Sequence, residues 1–376
     1  MKVAIIHDYI KEYGGAERVL EALHEIWPDA PVYTTVYLPK FLGPHRERFE
    51  KWDVRTSFLQ YIPFKEKLIS PFRILVPFMF KTFNFSNYDV VIVSATGAYN
   101  PNIINKKSST LFCYCHTPPR YLYGFATARE WKKNIFFRAI GEIANHFLRL
   151  VDFRSSQNVD YFIANSKNVA GRIEKFYKKE SVVIYPPVDI DSSKYHVPSS
   201  KYKKNTKCYL AGGRLARPKN IDLIIDACRE NKIPLKVFGR GFAGYENELR
   251  EKIKDSSIEF VGEVSDEEKM EFMRNAKAYL FASEDEDFGI TPVEAMSVGT
   301  PVIAYKSGGV VESVIDRKTG VFFSDLTEES LKRAIKQFNN LTIDPNDCIK
   351  QAKKFSKERF KREIKKFVEE KAIHVS

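Results

Sequence analysis

Short runs of β-branched and aromatic residues recur along the chain, each followed by a segment whose apolar positions repeat at helical spacing. In the first half the runs read KVAIIHDY, PVYTTVY, YDVVIVSA, STLFCYCH, DYFIANS and SVVIYPP. In the second they read KCYLAGG, LKVFG, IEFVG, AYLFAS, PVIAY and GVFF. Runs of this kind separated by helical patterns predict parallel strands covered by helices, and hence an α/β fold. Between the two series, residues 186 to 207 (PPVDIDSSKYHVPSSKYKKNTK) are rich in Pro, Ser and Lys and carry no periodicity, the mark of a linker. The expected architecture is two Rossmann-like domains, residues 1–190 and 191–355, with parallel sheets facing across a cleft. A helix over 356–376, weakly amphipathic, is expected to pack back on the first domain. Ligands of such sheets lie outside the carboxyl ends of the strands, which directs attention to the loops that follow them.

A chain of 376 residues exceeds what one core sustains and suits two domains. With 44% hydrophobic and 29% charged residues it has the composition of a folded protein. Its five cysteines, Cys113, Cys115, Cys208, Cys228 and Cys348, show no CxxC spacing and no even count. Neither a disulfide framework nor a zinc site is suggested, and a reducing compartment, the cytoplasm, is expected. The N-terminal MKVAIIHDYI reads as a core strand and not as a signal peptide. No apolar run reaches the ~18 residues that would span a bilayer. Sixty basic against 48 acidic residues leave a net charge of +12, which favours an anionic partner: nucleic acid, lipid head groups or a phosphorylated substrate. Two segments bear on the second option. Residues 58 to 85 combine seven Phe and four Lys or Arg with one acid, and WKKNIFFRAIGEIANHFLRL at 131 to 150 is a basic amphipathic helix. Both suit an anionic membrane surface, and both suit core-facing helices with solvated basic faces.

Candidate chemistry clusters in the second half. LAGGRLARPKN follows a strand and opens a helix, placing backbone amides, Arg214 and Lys219 where a phosphate can be held. An arginine fork and a lysine point charge on one loop suit a departing diphosphate, although a plain basic surface loop reads the same. VFGRGFAGYENEL is a second Gly-rich loop, but it lacks the third Gly of a dinucleotide fingerprint. SEDEDFGITPVEAM brings Glu284, Asp285, Glu286 and Asp287 together before a helix start, and such like charges destabilise one another unless they find partners. Within it TPVE predicts a capping box, with Thr291 as N-cap, Pro292 at N1 and Glu294 at N3. Glu294 serves as well as an acceptor for a ribose diol beside a nucleotide's pyrophosphate. In the first half, HDYIKEYGGAERVL puts Gly14 and Gly15 at a βα turn able to approach a ligand closely, with Glu17 on the first helical turn. A tight turn alone explains that pair too. TLFCYCHTPPRYLYG ends a strand with His116, held by the stiff Thr-Pro-Pro that follows. A lone His is commonly a packing residue, yet this one lies at the productive end of its strand.

Taken together, GGAE, HTPPRYL, GRLARPK and EDFGITPVE, the last with seven residues between Glu286 and Glu294, resemble in kind and order the motifs of glycosyltransferase family 4, over nearly the whole chain. CYCHTPPRYL, DYFIANS, VIYPPVD and FGITPVEAM are most similar to the bacterial mannosyltransferases that build the O-antigen of lipopolysaccharide and capsular polysaccharide. The resemblance implies a GT-B fold, a nucleotide-sugar donor and no other cofactor, and hexosyl transfer that retains anomeric configuration. No metal is expected, although the DED triplet contains a D-x-D that binds metal in other glycosyl-transferring folds. By the same resemblance Arg214 and Lys219 hold the donor's diphosphate and Glu294 the ribose. Glu286, with the amides of Phe288, Gly289, Ile290 and Thr291, takes the transferred sugar and its phosphate. Gly14 and Gly15 close against the phosphate, and His116 faces the sugar near the reacting carbon, so that Glu286 and His116 are the catalytic candidates. The donor expected is GDP-mannose, with a UDP-sugar as the alternative, and Arg240, Glu263 and Val264 are placed to read the base. The acceptor expected is a polysaccharide or lipid-linked saccharide, reached by peripheral docking on the inner face of the cell membrane. Asn220 departs from relatives that often carry Arg or Gly there.

Other classes compete. A sugar-nucleotide epimerase of the same fold would need no acceptor. A nucleic-acid-binding protein would use the positive charge, but the basic residues are spread over many segments without a recognition motif, so no nucleic acid is expected. A dehydrogenase lacks its glycine fingerprint.

Overall fold

Strands form where β-branched residues run together and both faces find cover. One part of the chain holds β1 (Val3–His7), β2 (Val32–Thr34), β3 (Val54–Thr56), β4 (Val90–Ala95), β5 (Thr110–Cys115), β6 (Tyr161–Ala164) and β7 (Ser181–Val183). They pair in parallel in the order β3-β2-β1-β4-β5-β6-β7. Every residue of β1, β4 and β5 is buried, which is what central strands of a parallel sheet with both faces covered require. A second sheet holds β8 (Tyr209–Gly212), β9 (Leu235–Phe238), β10 (Ile258–Gly262), β11 (Tyr279–Phe281), β12 (Val302–Tyr305) and β13 (Gly320–Phe323), again all parallel, in the order β10-β9-β8-β11-β12-β13. The structure is a computed structural model and describes residues 1–127, 135–190, 208–242, 244–253 and 257–373. Residues 131–134 of the basic helix and 191–207 of the linker lie outside the described residues.

The chain divides into two compact units. The first takes residues up to Phe125, the stretch ending at Pro187 and the C-terminal helix; the second takes Val188–Ser356 together with Ala126 and Thr127. In the first unit, Val19, Leu20 and Leu23 of the helix Gly15–Ile26 share a core with Phe360, Ile364 and Val368 of the helix Lys357–Ile373. Those last three side chains recur every fourth residue and are fully buried. Each contributes about 1.5–3 kcal/mol relative to exposure, enough to hold an otherwise charged helix on the unit. Lys361 on its outer side pairs with Glu25 at 3.0 Å. All five cysteines are buried free thiols.

Both sheets reverse direction beside their first strand: β1 lies between β2 and β4, and β8 between β9 and β11. At such a switch point the connections leave to opposite faces and a crevice opens at the carboxyl ends. In the first unit that point is flanked by His7, Asp8 and Ser94; in the second, by Gly212, Gly213 and Ser283.

Candidate functional site

In the second unit the loops at the switch point lie backbone against backbone. Gly213 N–H donates to Phe238 O (3.1 Å), Leu215 N–H to Arg240 O (3.0 Å) and Gly239 N–H to Gly262 O (2.7 Å), so the loops after β8, β9 and β10 form one row. Gly239, at φ 126°, admits no side chain, because a Cβ there would stand 1.8 Å from Gly213 O. Arg214 projects from the row, exposed, with its guanidinium 5.9 Å from the Phe242 ring centre. Arg240 and Glu263 are exposed on the neighbouring loops and Val264 is half-buried.

The turn Arg217–Lys219 is tied to the acidic loop after β11 by two bonds: Asn220 Nδ2 donates to Ala282 O (2.9 Å) and Glu284 N–H to Pro218 O (2.8 Å). Asn220 also caps the helix Ile221–Glu230 from the left-handed region (φ 48°), a conformation Asn tolerates. The result is a direct ion pair between Lys219 Nζ and Glu286 Oε2, with the Ser283 hydroxyl donating to the same oxygen at 2.5 Å. One member of the acidic cluster is thereby neutralised, while Glu284 faces solvent. Sequence reasoning passed over the support for this loop, the pair Gly308–Gly309 after β12. Gly309 N–H donates to Glu286 O (2.7 Å). A Cβ on Gly308 would lie 2.3 Å from Glu286 O, and one on Gly309 2.4 Å from Asp287 O. A double glycine three residues beyond the end of the predicted strand PVIAY was the available signal.

The expected capping box at Thr291 does not form. Gly289, at φ 90°, is the N-cap, and the helix runs Ile290–Ser297, so Thr291 and Pro292 are its second and third residues and Glu294 its fifth. Glycine's access to positive φ starts the helix earlier than Thr291 would, and Pro292 still lies in the first turn, where its missing N–H is not needed. Glu294, released from capping, is buried and accepts from Lys269 Nζ at 2.8 Å. Lys269 also bonds Asp266 at 2.9 Å. It sits in SDEEKM, a charged helical run indistinguishable by sequence from a solvated face. Phe288 is buried with its ring 5.3 Å from that of Phe355, fixing the turn into the helix. Gly213 faces Thr291 across the crevice, with 4.0 Å between the Thr291 side chain and a Cβ built on Gly213.

In the first unit, Gly14 caps the helix Gly15–Ile26, and Glu17 Oε2 accepts its N–H at 2.9 Å. His116 follows β5, its N–H bonded to Ala95 O (2.9 Å). Its Nε2 meets Ser94 Oγ at 2.9 Å, and that hydroxyl meets His7 Nδ1 at 3.1 Å. Burial, reinforced by the neighbouring His7, lowers the His116 pKa to about 3, so its ring is neutral at physiological pH. Asp8 is fully buried, with Oδ2 accepting from Thr96 Oγ1 (2.5 Å) and from the amides of Ala98 and Tyr99 (3.2 Å each), and burial raises its pKa. Among the described residues there is no cluster of His, Cys, Asp and Glu disposed to hold a metal.

Two parallel-sheet α/β units with this strand order constitute a GT-B fold, and the chain is a glycosyltransferase of that class. Solved structures share the fold: Anabaena HepE in complex with UDP (TM-score 0.71, 18% identity, 98% of this chain and 100% of that one) and sucrose-phosphate synthase from Thermosynechococcus elongatus (0.74, 18%, 98% and 99%). The family model described as Glycosyltransferase Family 4 matches residues 13–192, and the one described as Glycosyl transferases group 1 matches 194–355. The alpha-1,3/1,6-mannosyltransferase ALG2 of Mus musculus is 25% identical over 319 residues, 75% of this chain and 73% of the relative. That of Dictyostelium discoideum is 26% identical over 305 residues, 70% and 69%. The chain belongs to glycosyltransferase family 4.

Proposed function

We propose that the chain transfers mannose from GDP-mannose, with retention of configuration, to a lipid-linked saccharide or growing polysaccharide in cell-surface glycan synthesis. The observation that carries the chemistry is the contact of Lys219 with Glu286 at the switch point of the second unit, a cation and a carboxylate side by side. Transfer with a departing nucleotide develops positive charge on the sugar and negative charge on the diphosphate, and preorganised groups of opposite sign stabilise both. In this reading Arg214 and Lys219 take the diphosphate, with the amides at the start of the helix Ile290–Ser297 beside them. Glu286 orients the sugar, and Glu294, held by Lys269, receives the ribose. The Gly14–Gly15 turn is assigned to the donor's phosphate and His116 to the sugar. Attack on the face the diphosphate leaves, with the leaving phosphate as base, fits better than a covalent intermediate, because Asp8, the carboxylate at the first unit's switch point, is fully buried and engaged.

Mannose is favoured by the mannosyltransferase relatives. For guanine, Glu263 is the candidate acceptor of the N1 and N2 hydrogens, with Arg240 and Val264 on the same row of loops; uracil offers one such donor. Turnover of GDP-mannose, UDP-glucose, UDP-galactose and UDP-N-acetylglucosamine with a lipid-diphosphate acceptor decides the point. GDP-mannose is expected to be preferred; preference for a UDP-sugar would sink the mannose assignment and leave the family untouched. Formation of an epimer from donor alone would favour the epimerase.

A lipid-linked acceptor requires a docking face. Among the described residues no helix is long and apolar enough to cross a membrane. The first unit does expose Phe58, Tyr61, Phe64, Ile74 and Phe78 among Lys65, Lys67, Arg73 and Lys81, and Ile140, Ile143 and Phe147 along the helix Ile135–Gln157. Tyr121 joins the two areas, stacked under Arg73 at 4.3 Å and accepting from Asn145 Nδ2 through its carbonyl at 3.4 Å. Exposed aromatics ringed by cations suit an anionic lipid surface, where each basic side chain contributes about 1 kcal/mol. Flotation with vesicles of anionic phospholipid is expected to carry the protein upward at low salt and to release it at high salt. An absence of flotation at either salt would assign these segments to other packing.

A further inference from the structure

The mechanism above uses His116 but not the buried polar chain behind it. Ser94 lies directly opposite His7 in the pairing of β4 with β1, and its hydroxyl is shared between two imidazoles, His7 Nδ1 at 3.1 Å and His116 Nε2 at 2.9 Å. His7 is fully buried, and its Nε2, with no hydrogen-bond partner among the described residues, stands 3.7 Å from Glu17 Oε1. The other oxygen of Glu17 takes the Gly14 N–H. A hydroxyl carries one hydrogen and two lone pairs, so at most one imidazole nitrogen can accept from Ser94, and a nitrogen that does so obliges the other to donate. Which way the chain runs decides which nitrogen of His116 keeps a lone pair.

We propose that Glu17, His7 and Ser94 are positioning residues that fix His116 in the Nε2–H tautomer, leaving Nδ1 as an acceptor for a hydroxyl of the donor sugar. A carboxylate beside His7 Nε2 favours the proton on that nitrogen, even at a distance too long for a hydrogen bond. His7 Nδ1 then accepts from Ser94, and the Ser94 oxygen accepts from His116 Nε2–H. The described residues give His116 Nδ1 no hydrogen-bond partner, and His116, though buried, keeps 8% of its surface exposed. The neutrality of the His116 ring, imposed by burial, keeps the tautomer question meaningful at physiological pH. Because one carboxylate serves both Gly14 and His7, the glycine turn and the orientation of His116 are set together.

This rests on the assignment of His116 to the sugar, and the test separates the two. Nitrogen-15 spectra of the full chain labelled at histidine, with His116 assigned by its loss in His116→Asn, need no donor. The wild type is expected to show a protonated Nε2 and an unprotonated Nδ1 at His116. Ser94→Ala and Glu17→Gln are each expected to convert this to a mixture. Ser94→Ala is expected to lower kcat/KM by about tenfold, the size of one neutral hydrogen bond, and Ser94→Thr, which keeps the hydroxyl, to restore it. A proton on Nδ1 in the wild type, or an unchanged tautomer in both variants, overturns the proposal. A tautomer shift in the variants, with every hexosyl donor inert in the wild type, would uphold the relay and refute the donor reading.

Discussion

Replacing Glu286 by Gln is expected to lower kcat by about 10²-fold or more, comparable with the loss of one preorganised transition-state contact. The amide keeps the volume and can still accept from Ser283, which bonds the carboxylate at 2.5 Å. It loses the charge that faces Lys219. Folding is expected to survive, because a partly solvent-accessible ion pair contributes only about 0–1 kcal/mol. The loop itself is held by backbone bonds that the substitution leaves intact, Gly309 N–H to Glu286 O and Glu284 N–H to Pro218 O. A second readout distinguishes catalysis from binding. With the carboxylate gone, Lys219 is released to an incoming diphosphate, so the affinity for GDP should hold or rise while turnover collapses. Full activity at saturating donor would return Glu286 to a merely structural partner of Lys219.

The sheets were legible because their strands are apolar on both faces. All twelve predicted runs became strands, in two sheets, and the one omission, β3, explains itself: three residues with Arg55 at the centre, lying at the sheet edge beside β2. The helix after the acidic loop was legible in existence but not in phase. TPVE carries every local sign of an N-terminus, and the chain starts the helix from Gly289 instead because positive φ is open to it. Glu286 and Lys219 were visible separately by spacing. Their contact was not, since it depends on Asn220 reaching Ala282 and on Gly308 and Gly309 receiving the loop. His116 was visible from its strand end. Its partners His7 and Ser94 come from β1 and β4, far apart in sequence, and only the parallel register places them side by side.

Lys219→Ala and Arg214→Ala are both expected to weaken binding of the nucleoside diphosphate product, by about 1.5–3 kcal/mol for a charge-assisted hydrogen bond lost in a partly closed crevice. The two should not be equal. Arg214 is exposed, its guanidinium 5.9 Å from the Phe242 ring centre, so its removal subtracts a cation that solvent already screens. Lys219 is engaged by Glu286, so its removal subtracts a cation and also the positive charge that offsets Glu286 beside the diphosphate. Lys219→Ala should therefore lie at the upper end of the range and Arg214→Ala at the lower. The coupling has a definite sign: adding Glu286→Gln to Lys219→Ala should recover part of the lost affinity, since the repelling charge goes with it. Residues in direct contact are where such non-additivity is expected. Calorimetry with GDP on the two single variants, Glu286→Gln and the double variant gives the cycle directly. Unchanged product affinity in both cation variants would make the Arg214–Lys219 loop a basic surface, and strict additivity with Glu286 would mean that the ion pair is not part of the diphosphate site.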